Sequence, residues 1–298
     1  MIKQPRNLFF DVLRIVCIFL IVYAHHPYWN LNGSLFQDGW AFIVYPTSLA
    51  MIAVYALIFV SGAVLELNYQ RVASLSESGR FFFRRLLRLY PALWMSLIFA
   101  ILILPPLIGK ELNHLVLESS GFYIWLGEGN PVLNPMGWFI GTIIPLYLLF
   151  PLLSPLIRKY HLGALGLLAA ITFLSRYYFL YISQYALAYR FLPLCNLFEF
   201  AFGIYLIQMD LYPKNSMEHP IISELSELTF YVFLFHNIIL GRLGPVVMLP
   251  VGGIGPLSDH DAYYILFAAE ILFISALAMV FDKTVQDFVK AKVLHPPS

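Results

Sequence analysis

The stretch that decides the fold is Leu8-Phe9-Phe10-Asp11-Val12-Leu13-Arg14-Ile15-Val16-Cys17-Ile18-Phe19-Leu20-Ile21-Val22-Tyr23-Ala24-His25-His26. A helix needs about 20 predominantly apolar residues to cross the hydrocarbon of a bilayer, and this run is of that length. Lys3 and Arg6 ahead of it would also suit a signal peptide. Asp11 and Arg14 interrupt the run, however, and no small-residue cleavage site follows Ala24, so it reads as a retained first helix. Ionisable groups inside a membrane are costly and by default functional. Arg14 and His25 stand eleven residues apart. That is close to three turns, which puts both on one face about 16 Å apart along the axis. Asp11, at i−3 from Arg14, can pair with it. The plainer reading makes Asp11–Arg14 a structural ion pair near the interface and His25 an interfacial residue. His26 points about 100° away from His25 and reads as a bystander.

The rest of the chain agrees with a membrane solvent. Of 298 residues, 60% are hydrophobic and 12% charged, with a mean hydropathy of +0.76. A soluble domain carries about 25% charged residues, so this chain cannot cover itself with a polar skin. Eight candidate spans run approximately Leu8–His26, Phe42–Leu65, Leu86–Ile108, Gly137–Ile157, Leu162–Ile182, Tyr189–Ile207, Leu228–Leu240 and Ala262–Phe281. The seventh is short and extends toward Ile221, and Leu115–Leu126 is a further short or interfacial helix. The expected fold is all-α, a polytopic transmembrane bundle of eight to ten spans. It forms one domain over 1–298, with no internal repeat and no soluble domain. Lys3, Arg6, Arg71, Arg80, Arg84, Arg85, Arg88, Arg158, Lys159, Lys214, Lys283, Lys290 and Lys292 fall on one side of eight spans. Lys110, Arg176, Arg190 and Arg242 fall on the other. Basic loops mark the cytoplasmic side, so a multi-pass protein of the plasma (inner) membrane with both termini cytoplasmic is expected.

A second cluster, Arg84-Arg85-x-x-Arg88, is followed by Leu89-Tyr90-Pro91. Arg80, Arg84 and Arg88 recur at four-residue spacing, with Arg85 three before Arg88, so one helix face collects guanidiniums suited to bidentate phosphate binding. Anchoring to anionic lipid head groups would need the same residues. Other polar groups within apolar runs are Ser61-Gly62, Asn196 with Glu199, and His236 with Asn237. Each could be an interhelical hydrogen bond, but a lone buried carboxylate such as Glu199 needs a partner or a raised pKa. Trp138 stands at a span start, where an interfacial tryptophan is ordinary. Cys17 and Cys195 sit in apolar runs as packing residues. Asn32-Gly33-Ser34 is a formal glycosylation sequon. There is no HExxH, P-loop, GxSxG or metal-ligand cluster, and nothing points to nucleic acid.

In order, these clusters resemble the membrane acyltransferase 3 family. Asp11-x-x-Arg14-x10-His25 matches its first helix, and Ile58-Phe59-Val60-Ser61-Gly62 its second. Phe83-Arg84-Arg85-Leu86-Leu87-Arg88-Leu89-Tyr90-Pro91 matches its Arg-rich signature. Trp138-Phe139-Ile140, Asn196-Leu197-Phe198-Glu199-Phe200 with Gly203, and Thr229-Phe230-Tyr231 through His236 are similar to later helices. Ala63 stands where the family often has an aromatic residue. The resemblance implies an acyl-CoA-dependent O-acyltransferase. It would move an acyl group, commonly acetyl from acetyl-CoA, to a hydroxyl of a cell-envelope glycan or other small acceptor, with no metal. Arg84, Arg85, Arg88, Tyr90 and Ser61 would hold the donor. Asp11 and Arg14 would order the first helix, and His25 would serve as general base or transient acyl carrier. Glu199 and His236 would position the acceptor or His25, with Trp138 and Asn196 beside the acceptor. The rival is a transporter with Asp11, Arg14, Glu199 and His236 along a solute path, although such folds show repeated halves.

Overall fold

The computed structural model describes residues 6–25, 46–69, 75–103, 111–126, 133–183, 185, 188–214, 219–247 and 259–289. Lys3, His26, the Asn32 sequon, Arg71, Lys110, Lys290 and Lys292 lie outside these residues, as do the side chains of Arg80 and Arg242.

The described residues form helices and no strand. Helix α1 spans Leu8–His25. The Asn7 side chain accepts hydrogen bonds from the backbone N–H of Phe9 (3.1 Å) and Phe10 (3.4 Å), a cap on donors the helix cannot satisfy itself. Helix α2 spans Pro46–Asn68 and α3 Leu75–Ile103, with Pro91 inside it. The short α4 covers Glu111–Ser120 and is followed by a 3₁₀ turn, Tyr123–Leu126. This pair occupies the segment expected as a short or interfacial helix. Helix α5 spans Trp138–Tyr160. His161, at φ 47°, turns the chain directly into α6, Leu162–Tyr177, which ends in a π turn, Tyr178–Ile182.

Among the described residues, five helices are long and apolar enough to cross a membrane: Leu8–His25, Leu49–Asn68, Phe81–Ile103, Pro135–Tyr160 and Leu162–Ile182. They coincide with the first five expected spans, and the chain is a multi-pass membrane protein. The expected span Tyr189–Ile207 is not one helix. It divides into α7 (Ala188–Phe191), a 3₁₀ turn (Pro193–Asn196) and α8 (Leu197–Gln208). Pro193 has no backbone N–H to continue a helical ladder, so the chain restarts after it. The last two expected spans fall within α9 (Pro220–Val247) and α10 (Asp259–Val289).

Helix α1 packs between α2 and α9, and α2 packs in turn on α8. Two glycines explain the closeness of α2 and α8. A Cβ on Gly62 would lie 2.1 Å from the Phe200 carbonyl oxygen, and one on Gly203 would lie 2.1 Å from that of Phe59. Each helix thus presses its backbone into a gap the other leaves, as small residues allow in membrane bundles. Helix direction then sorts the polar residues into two ends. Asp11, Arg14, Glu66, Arg85, Arg88, Arg158, Gln208 and Ser226 share an arginine end. His25, Asn134, Trp138, Glu199 and His236 share the opposite, histidine end.

Candidate functional site

At the arginine end the first residue to place is Asp11, which is 3% exposed. Its carboxylate accepts a two-pronged hydrogen bond from Arg6, Nε to Oδ2 at 3.1 Å and Nη2 to Oδ1 at 3.0 Å. The Ser226 hydroxyl of α9 donates to Oδ1 at 2.7 Å. Arg6 also pairs with Glu227. Burial works against the charge on Arg6, but the hydrogen bonds and negative charges of Asp11 and Glu227 outweigh it and hold its pKa above the ordinary value. The pairing expected from the i−3 spacing, Arg14 to Asp11, is the longest of these contacts at 3.5 Å. Asp11 therefore ties the start of α1 to α9, and Arg14 is left facing a cavity.

That cavity is open to solvent. Arg14, Arg85, Arg88, Ser61 and Thr229 line its arginine end, and Ile18, Leu57, Phe139 and Phe233 line the far end. Arg85 is held by rings: its guanidinium carbon lies 5.1, 5.6 and 5.7 Å from the ring centroids of Tyr69, Phe81 and Tyr147. Cation–π contact supports a charge without neutralising it. Its Nε is buried with no hydrogen-bond partner among the described residues. No described carboxylate forms an ion pair with Arg85 or Arg88. Three guanidiniums thus border one cavity, and the Asp11 carboxylate within reach of Arg14 is already engaged by Arg6. Such a site fits a multiply charged anion, and phosphate matches the guanidinium fork.

The other residues of the arginine signature go elsewhere. Arg84 is exposed and does not line the cavity. The Tyr90 hydroxyl donates to the Ser120 carbonyl at 3.0 Å, joining α3 to the end of α4. Ser61 lines the cavity, with its hydroxyl donating to the Leu57 carbonyl at 2.9 Å.

At the histidine end the last residue of α1 meets α9. The rings of His25 and His236 lie edge to face with centroids 5.1 Å apart. His25 Nδ1 is 2.8 Å from the Ile21 carbonyl oxygen, and His236 Nδ1 is 2.7 Å from that of Phe233. A carbonyl oxygen only accepts, so each neutral imidazole carries its hydrogen on Nδ1 and keeps the lone pair on Nε2. His236 is fully buried, and its Nε2 has no hydrogen-bond partner among the described residues. Two bases of fixed tautomer therefore sit side by side, about three helical turns beyond Arg14.

Glu199 and Asn196 are held on the other side of α2. Glu199 pairs with Arg176 at 2.7 Å, and Arg176 also donates to the Cys195 carbonyl (2.7 Å) and stacks on Tyr55 at 4.5 Å. Asn196 is buried and bridges the carbonyls of Arg190 (3.0 Å) and Leu192 (2.9 Å), which closes the turn before α8. Trp138 is buried rather than interfacial, 4.5 Å from the Phe191 ring. The structure thus brings together Arg14, Arg85, Arg88 and Ser61 at one end and His25 with His236 at the other. Glu199, Asn196, Tyr90 and Arg84 stand apart from both.

Sequence reasoning missed Arg6 as the partner of Asp11, because Arg6 precedes the helix and no helical spacing links the two. It also missed Glu66, 1% exposed, which accepts hydrogen bonds from Ser154 (2.6 Å) and Gln208 (3.0 Å) and pairs with Arg158. A carboxylate in the apolar run of α2 was the available signal. Glu118 is a third such residue: it accepts from the backbone N–H of Asn134 at 2.8 Å, while the Asn134 side chain donates to Ser96 (2.7 Å) and to the Leu234 carbonyl (3.2 Å). No group of three or more His, Cys, Asp or Glu side chains that could hold a metal occurs among the described residues.

Neither the curated proteins nor the solved structures contain a match to this chain. A family model described as an acyltransferase domain, of the acyltransferase 3 type, matches residues 7–223. That range holds Asp11, Arg14 and His25, all three cavity arginines, and Glu199; it ends before His236. The chain belongs to the acyltransferase 3 family of membrane acyltransferases.

Proposed function

We propose that this protein is a membrane-embedded O-acyltransferase, in its commonest form an O-acetyltransferase, that uses cytoplasmic acyl-CoA to acylate a hydroxyl of a cell-envelope glycan or other small acceptor. The observation that carries the reading is the cavity with three guanidiniums at one end and the His25–His236 pair beyond the other. Arg14, Arg85 and Arg88 bind the phosphates of the donor, with Ser61 beside them, and the cavity directs the thioester toward His25. The bias of basic residues toward the arginine end supports a cytoplasmic location for that end, with both termini there and the histidines nearer the far side of the plasma membrane.

His25 acts as general base. Its Nε2 lone pair takes the acceptor's hydroxyl proton as the oxygen attacks the thioester carbonyl. A C–O bond forms, the C–S bond breaks, and the imidazolium returns the proton to the departing thiolate, so no atom or charge is left over. Because Nδ1–H is committed to the Ile21 carbonyl, Nε2 is the nitrogen available for this transfer. Asp11 and Glu199 serve as positioning residues, one fixing α1 to α9 and the other fixing α6 to α8. Trp138, Asn196 and His236 lie at the end where the acceptor arrives.

The test is acyl transfer by the purified protein in detergent from acetyl-CoA to a cell-envelope glycan fraction, read by mass spectrometry. His25→Ala lowers the rate by roughly 10²–10⁴-fold, the usual contribution of a positioned acid–base group. Wild-type rates in His25→Ala would remove this residue from the reaction. Solute uptake into liposomes without acyl-CoA would replace the reading with transport.

A further inference from the structure

The cavity ends before it reaches the histidines. On α1 its lining stops at Ile18, seven residues short of His25; on α9 it stops at Phe233, three short of His236. On α5 it extends from Tyr147 to Phe139, beside the helix start at Trp138. The Phe139 and Phe233 rings meet edge to face at 5.2 Å and 61°. Phe233 in turn lies 5.9 Å from the His236 ring. Two rings therefore stand between the cationic cavity and the base pair. They are firmly backed. Phe139 and Phe233 are 7% and 2% exposed. Trp138 packs on both at 5.8 and 6.4 Å and is itself wedged on Phe191.

We propose that the Phe139–Phe233 pair is the specificity element of the donor site, a passage that admits short acyl thioesters and excludes longer ones. The inference rests on the acyl-CoA reading above. To meet His25, a thioester held by the arginines must place its acyl group at this ring pair, because Phe233 is the lining residue that packs on His236, whose ring meets that of His25. An acetyl group adds little volume at an edge-to-face contact. Each further methylene must displace rings that sit in close-packed surroundings and cannot give way at low cost. His25 is fixed by the Ile21 carbonyl and His236 by the Phe233 carbonyl, both backbone groups, so ring removal at Phe139 or Phe233 leaves both hydrogen bonds in place.

The experiment is a competition. The purified full-length protein in detergent receives equal acetyl-CoA and hexanoyl-CoA with a cell-envelope glycan fraction, and mass spectrometry reads the two acylated products from one tube. Their ratio does not depend on how much of the preparation is folded. Phe139→Leu and Phe139→Ala raise the hexanoyl-to-acetyl ratio by roughly tenfold or more, the discrimination that one or a few methylenes carry in an apolar pocket. Phe233→Leu moves the ratio the same way, and Phe139→Trp lowers it. If Phe139→Ala transfers nothing, Phe139→Leu and Phe233→Leu decide. An unchanged ratio in those two, with the wild type active, overturns the passage and leaves the donor reading standing. A wild type that transfers from neither donor overturns the donor reading and the passage with it.

Discussion

Two sets of arginines in the bundle differ in what they meet. Arg6, Arg158 and Arg176 each meet a carboxylate that the fold has placed for them: Asp11, Glu66 and Glu199. The Arg158–Glu66 and Arg176–Glu199 pairs join different helices, and Arg6–Asp11 holds the segment before α1 to its first turn. Arg85 and Arg88 meet no described carboxylate, and Arg14 keeps only a 3.5 Å contact to an aspartate that Arg6 already holds in two places. A charge taken out of water is costly unless it is paired. The first set removes that cost within the protein. In the second, Arg14 and Arg85, both half-buried, leave it outstanding, with Arg85 merely cradled by three aromatic rings, while Arg88 is exposed. Uncompensated cations around an open cavity raise the affinity for an anion that completes them. Paired arginines in the same bundle are structural.

The largest effect expected from this contrast is on binding. Replacing Arg85 and Arg88 together with Ala removes two charge-assisted contacts to phosphate, each worth about 1.5–3 kcal/mol. The affinity for acetyl-CoA, measured by calorimetry in detergent, falls by roughly 10²–10⁴-fold, and the melting temperature stays close to that of the wild type. Retained affinity would return these residues to lipid anchoring. A large fall in melting temperature would show that they are structural after all and would dissolve the contrast.

Arg6→Ala tests the other set, with a smaller effect of the opposite kind. It strips Asp11, which is 3% exposed, of its two-pronged partner while leaving Ser226 in place. The remaining unmet hydrogen-bonding capacity costs about 1–3 kcal/mol, visible as a lower melting temperature. Arg14 is the nearest cation that can move in, and doing so withdraws it from the cavity. A modest loss of acetyl-CoA affinity therefore accompanies the loss of stability. Asp11→Asn combined with Arg6→Ala restores part of the affinity, because nothing then draws Arg14 away. Stability unchanged in Arg6→Ala would mean that this pair is no better than a surface contact.

How much of this was legible in the sequence follows from what a helix fixes. Rise and turn are constants, so Asp11, Arg14 and His25 were placed on one face of one helix, and α1 has them there. The five apolar runs of full length were legible for the same reason. What periodicity leaves open is which neighbour a face meets. It could not separate Arg85, which faces the rings, from Arg84, which faces out. It could not foresee that Trp138 is buried against Phe191, nor that His236, more than two hundred residues on, lies beside His25. Nor could it predict the break before α8, since a proline in a membrane helix is as often a kink as an end. In the sequence Gly62 and Gly203 are pattern alone, and only the packing of α2 on α8 shows that both hold a backbone contact.

Arg84→Ala carries the smallest expected effect and the sharpest discrimination. By helical spacing Arg84 is the strict partner of Arg88, four residues away, whereas Arg85 is the less regular member of the face. A role in anchoring to anionic lipid would weight every arginine by charge alone, and Arg84, exposed like Arg88, would count as much as the others. Recognition by the cavity weights them by position. Arg84 lies outside the lining, so its loss leaves acetyl-CoA affinity unchanged and stability within about 0.5 kcal/mol, as for surface substitutions generally. The same binding measurement on Arg84→Ala and Arg85→Ala, side by side in detergent without anionic lipid, therefore reads geometry rather than charge. Equal losses would mean that the helix end binds as a patch. A loss confined to Arg85→Ala means that the unpaired guanidiniums of the cavity are what the ligand meets.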